Sequence, residues 1–154
     1  MKRLLFPWIG MLMVTLSIVF MTSLVSAQEI PDLQGTWRFD LANTDVFWDG
    51  NKNKVKKTVK VYIYQDAYVT GEPNLKMIPV DFPSESFQGI VQGTLCAFYK
   101  SSTNPSILGL ETLVGKVNKP GNSIKGSGVG FNSDPQQGIW DEKFHAKRIN
   151  KKVP

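Results

Sequence analysis

Leu33-Gln34-Gly35-Thr36-Trp37-Arg38-Phe39-Asp40-Leu41 decides the fold class, because its odd positions are apolar or glycine and its even positions are polar. A period of two puts successive side chains on opposite faces of a sheet, so this stretch reads as a half-buried strand. Thr58-Val59-Lys60-Val61-Tyr62-Ile63-Tyr64 repeats the pattern, with Val59, Val61 and Ile63 on one face.

Outward from these two runs, the spacing predicts strands over residues 87–99, 107–117, 123–131 and 138–149, and a short one near 75–80 inside a proline-bearing loop over 66–86. Asn104-Pro105, Lys119-Pro120-Gly121-Asn122 and Ser133-Asp134-Pro135 separate the later runs. Proline fixes φ there, and glycine or asparagine tolerates positive φ. No stretch after the leader holds a 3.6-residue period for three turns, and residues 41–48 have room for one helical turn at most. Strands in sequence with short connections predict an all-β antiparallel meander of six to eight strands, closed into a barrel to remove its edges. A β-sandwich is the rival, disfavoured by the lack of a long crossover among the last four runs. Gly89, Gly93, Gly109, Gly115, Gly126, Gly128 and Gly130 fall inside these runs, as expected of bends, bulges or close approaches in a tightly curved sheet.

The N-terminus reads as a secretory signal over residues 1–27: basic Lys2-Arg3, an apolar stretch from Leu4 to Met21, and small residues at Val25-Ser26-Ala27. Cleavage after Ala27 predicts a periplasmic or secreted protein with one barrel domain, residues 28–154. The apolar stretch approaches the ~20 residues that cross a bilayer, so a membrane-anchored form with an uncleaved leader is the alternative. Gln28-Glu29 stand where a lipoprotein would carry a cysteine.

The formal charge of +5 falls to +3 once Lys2 and Arg3 are removed. That excess is too mild for a nucleic-acid partner but allows weak contact with a membrane surface. The single cysteine, Cys96, excludes an internal disulfide and reads as a small buried hydrophobe.

Gly35-Thr36-Trp37 near the start and Phe144-His145-Ala146-Lys147-Arg148-Ile149 near the end together resemble the lipocalin and calycin group of small barrels. In that group a G-x-W on the first strand supplies a tryptophan that plugs one end, and a cation on the last strand packs over its ring. The resemblance implies that Trp37 and Arg148 close the barrel, a cation–π contact of about 0.5–2 kcal/mol. The T-D-Y-type pattern of larger lipocalins, their disulfide, and the biotin-type aromatic motifs of avidins are absent.

Glu142 shares the parity of Trp140, Phe144 and Arg148. Facing inward, its carboxylate should find Arg148, water or a ligand group, whereas a bulge near Asp141 turns it outward. Lys125-Gly126-Ser127-Gly128-Val129-Gly130-Phe131 lacks the G-K-[ST] ending and the helix of a phosphate-binding loop, and reads as strand glycine. Asn51-Lys52-Asn53-Lys54-Val55-Lys56-Lys57 reads as a solvated hairpin tip that discourages edge pairing. His145, the only histidine, points outward beside Lys143 and Lys147. One histidine suffices as an axial haem ligand but not for a multi-histidine zinc site.

The sequence therefore nominates no catalytic residue, no metal ligands and no cofactor. It predicts a non-catalytic exported barrel that takes a small, largely apolar molecule in its interior or contacts an envelope component, with Phe39, Val61, Ile63, Leu95, Trp140, Glu142 and Phe144 as the lining. A barrel isomerase or cyclase using a desolvated Glu142 is the second class, and a solid structural module the third.

Overall fold

The computed structural model describes residues 30–101, 109–133 and 138–154. The expected signal over 1–27, the Asn104-Pro105 turn and Asp134-Pro135 lie outside the described residues. Eight strands follow in chain order: β1 Gly35–Phe47, β2 Lys52–Gln65, β3 Leu75–Pro79, β4 Phe87–Gln92, β5 Leu95–Ser101, β6 Gly109–Val117, β7 Ser123–Asn132 and β8 Gly138–Asn150. Each pairs antiparallel with the next, and β8 returns to β1, so the meander closes into a barrel. Among the described residues there is no helix.

Three local expectations are corrected. Residues 41–47 continue β1 instead of forming a helical turn, because pairing with both β2 and β8 runs to the end of that strand. The lysine run is the first half of β2, not the hairpin tip; the turn lies before it, around Gly50 with its φ of 85°. The predicted strand over 87–99 is two strands, reversed at Gly93, whose φ of 56° suits glycine. That reversal resets the parity. Leu95 pairs with outward Gln92 and is 58% exposed, so it does not line the interior; Cys96 and Phe98 turn in instead.

The interior is layered from one end to the other. Leu33, Trp37, Ile63, Val91, Ile124 and Ala146 fill the first layers, and Phe39 stacks on Phe144 above them with centroids 5.5 Å apart. Phe39, Val61, Ile63 and Phe144 are core residues packed against one another. Burying an aliphatic or aromatic side chain of this size contributes about 1.5–3 kcal/mol, which ties the closure of the barrel to the period-two pattern of its strands.

Large inward residues on β8 fit because β7 opposite them is glycine. Gly126, Gly128 and Gly130 pair with Phe144, Glu142 and Trp140. A methyl group on Gly126 would stand 2.7 Å from the Phe144 ring, and one on Gly130 would run into the Trp140 indole.

Candidate functional site

One end of the barrel is plugged. The Arg148 guanidinium lies 5.4 Å from the Trp37 ring centroid, and Trp37 Nε1 donates to the Leu33 carbonyl at 2.8 Å. Arg148 also donates to the Asp32 carbonyl at 2.9 Å, the Gln34 carbonyl at 3.1 Å and the Gly121 carbonyl. It ties the chain leading into β1 to the turn between β6 and β7. This end is structural: its polar groups are matched to one another, and its cation is covered.

The other end is charged. Here β1, β2, β5, β6 and β8 bring Asn43, Lys57, Lys100, Glu111 and Glu142 to inward parity, and the loop before β4 adds Glu85. Lys100 bonds to Glu85, lies 3.2 Å from Glu111 and stands 4.9 Å from the Phe87 ring centroid. Burial works against its charge, but the hydrogen bond to Glu85 and the charges of Glu111 and Glu85 outweigh that and raise its pKa. Lys100 is thus a held cation.

A cavity of about 310 Å³ opens at this mouth, lined by Lys100, Glu111, Glu85 and Ser86 on its polar side and by Trp140 and Phe131 on its aromatic side. Glu142 lies one inward position deeper than Trp140 along β8. It is buried to 2% exposure, so the inward alternative is the one adopted. The expected partner Arg148 is engaged at the opposite end of the barrel, and neither Glu142 carboxylate oxygen has a partner in hydrogen-bond geometry among the described residues; Asn43 Oδ1, on the residue paired with Glu142 across β1 and β8, has none either. Burial pushes the Glu142 carboxyl up to about 7, and Glu111 adds to the rise; Lys57, Lys100 and the nearby Asn43 amide pull weakly the other way.

Other singled-out residues carry less. Burial pushes the Cys96 thiol up to about 12, and the sulfur faces the Gly115 carbonyl at 3.6 Å, so it is a packing group. His145 faces outward and meets Ser123 Oγ at 3.0 Å; desolvation and the neighbouring Lys125 and Lys147 lower its pKa. Outside the barrel wall, Leu110, Val129 and Ile139 form an exposed apolar strip beside Trp48, and Phe131, on the same outward parity, carries the strip to the rim of the mouth.

The structure therefore brings Trp140 and Glu142 to the mouth, leaves Phe39, Val61, Ile63 and Phe144 in the packed core, and puts Leu95 on the outside. Asn43, Lys57, Lys100 and Glu111 were missed by the sequence reading. The signal was the same for all four: Asn43 continues the alternation of Trp37, Phe39 and Leu41, Lys57 that of Val59, Val61 and Ile63, Lys100 that of Cys96 and Phe98, and Glu111 that of Leu113, Gly115 and Val117. Among the described residues no cluster of three or more His, Cys, Asp or Glu has metal-binding geometry. The chain matches no protein-family model, no curated protein and no solved structure.

Proposed function

We propose that this is an exported barrel of the calycin kind, periplasmic or secreted, that binds a small molecule at its charged mouth. The observation that carries this reading is the mouth cavity of about 310 Å³, where the inward Trp140 indole, with the outward-parity Phe131 at the rim, lies across from the charged group of Lys100, Glu111 and Glu85. Small-molecule sites combine an apolar wall with a few placed polar groups in this way. The ligand sits at the mouth and not along the barrel axis, where Phe39, Val61, Ile63 and Phe144 are buried core residues. Its apolar part lies on Trp140 and Phe131.

Native mass spectrometry of protein recovered from its own host tests the reading. A co-purifying small molecule, released when Trp140→Ala shortens the aromatic wall, is the expected result. Protein that leaves the cell with no bound species, and takes up none from a host extract, overturns it.

The second reading is a barrel isomerase or cyclase acting on an apolar substrate. A buried carboxyl pushed up to about 7 favours it, since such a group exchanges a proton near neutral pH. Proton exchange at a substrate carbon, followed by deuterium incorporation from heavy water, separates it from simple binding. The exposed strip of Leu110, Val129, Phe131 and Ile139 supports contact with an envelope component as an additional role.

A further inference from the structure

Three acceptor atoms just below the mouth have no donor in hydrogen-bond geometry among the described residues, Oε1 and Oε2 of Glu142 and Oδ1 of Asn43; the Asn43 amide is close enough to the carboxylate to favour its charged form, the smallest of the influences on it. The two residues are paired across β1 and β8, and both point inward. A buried polar group left unmatched costs about 1–3 kcal/mol, more when charged, so three together are an expensive arrangement for a fold to keep without use.

The protein's own cations do not relieve it. Lys100 is held by Glu85 and Glu111, and Lys57 acts on Glu142 through space without a hydrogen bond. Among the groups around this point, β6 contributes Glu111, β5 Lys100 and β2 Lys57, while β1 contributes the neutral Asn43 with Asp45 one inward position nearer the rim beside Trp140, and β7 only Gly128. Gly128 leaves the carboxylate its room: a methyl group there would stand 3.1 Å from Oε1. Counted as ionised, Glu142 makes four carboxylates with Glu111, Glu85 and Asp45 against two lysines, so the mouth is locally acidic in a chain of net charge +5.

We propose that Glu142 and Asn43, which lie one inward position beneath Trp140 and below the cavity lining, form a head-group subsite at the floor of the mouth, and that it takes the protonated amine of a small amphiphile whose apolar part lies against Trp140. An ammonium group offers three N–H donors, matching the three unmatched acceptors, whereas a divalent cation would need six or more oxygens. A carboxylate-headed ligand would bring three acceptors a fourth and fifth. The inference rests on the mouth being a binding site and names the ligand class it takes.

Titration calorimetry of the full chain with hexylamine, hexanoate and hexanol tests it, all three being small enough for the cavity. At pH 8, hexylamine should bind about tenfold or more tighter than either of the others, as a charge-assisted hydrogen bond requires. In the same wild-type protein the amine preference should shrink at pH 5, where Glu142 is protonated, and Glu142→Gln should abolish it at pH 8. Hexanoate or hexanol binding as tightly as hexylamine overturns the amine subsite and leaves a mouth that binds small molecules. An amine preference that persists unchanged in Glu142→Gln and at pH 5 also overturns the subsite. Failure of all three probes to bind overturns the subsite and the binding reading together.

Discussion

The guanidinium of Arg148 stands 5.4 Å from the Trp37 ring centroid, from a position on β8 paired with Trp37 on β1. The contact joins the first strand to the last, so it exists only in the closed barrel. Each side chain shields the other from water, and the four acceptors around Arg148 hold the cation in place.

Trp37→Ala should cost about 3–5 kcal/mol of unfolding free energy, the range for a deleted core aromatic, and Arg148→Ala less. In urea unfolding of the single and double variants, the two losses should fall short of adding by about 0.5–2 kcal/mol. Strict additivity would mean that the contact contributes nothing of its own and that closure rests on strand pairing alone.

The glycine row of β7 should be intolerant of even one methyl group. Gly130→Ala places a Cβ in the Trp140 ring of β8, Gly126→Ala places one against the Val114 carbonyl of β6 as well as the Phe144 ring, and overpacking of this kind costs about 1–3 kcal/mol. Ser127→Ala, on the outward parity of the same strand, should change stability by less than about 0.5 kcal/mol. Thermal melts that rank all three alike would show that β8 has room to shift, and the row would then be explained by sheet curvature and not by close approach.

Cys96 should be inert while the barrel is folded. Its thiol is 2% exposed and pushed up to about 12, so almost no thiolate is present at neutral pH. Alkylation by iodoacetamide at pH 8 should be negligible in native protein and complete after unfolding in urea. Rapid native labelling would place the sulfur in an open, electropositive environment that the packing against Gly115 denies.

The alternation in residues 33–41 and 58–64 and the turns that follow made the closed meander legible in the sequence, because period two and turn chemistry are local properties. The mouth was less legible. Its charged residues come from β1, β2, β5, β6 and β8, and only the barrel's register brings them together. A single unrecognised reversal at Gly93 carried the wrong parity to Leu95 and hid Phe98 and Lys100 as inward positions, although Cys96 was read as buried. Glu142 was visible as an inward candidate, but its lack of any donor is a property of its neighbours and not of its own strand.

Glu142 should make the protein less stable as pH rises. Burial pushes its folded-state pKa from the ordinary 4.5 up to about 7, so between those values the folded protein holds a proton that the unfolded chain has released. Stability falls with pH wherever the folded state binds more protons. The contribution of this group is therefore complete below pH 4.5, declines between pH 4.5 and 7, and is gone above 7. A shift of this size corresponds to a loss of roughly 3 kcal/mol across the window. The readout is the difference between wild type and Glu142→Gln, in which the contributions of all other titrating groups cancel. Urea unfolding from pH 4.5 to 8 should give a wild-type curve that drops relative to the variant as pH rises, and the two should run parallel above 7. Parallel curves throughout would mean that Glu142 titrates alike in both states, its carboxylate reached by water or paired with a cation, and the unmatched acceptors at the mouth would lose their physical meaning.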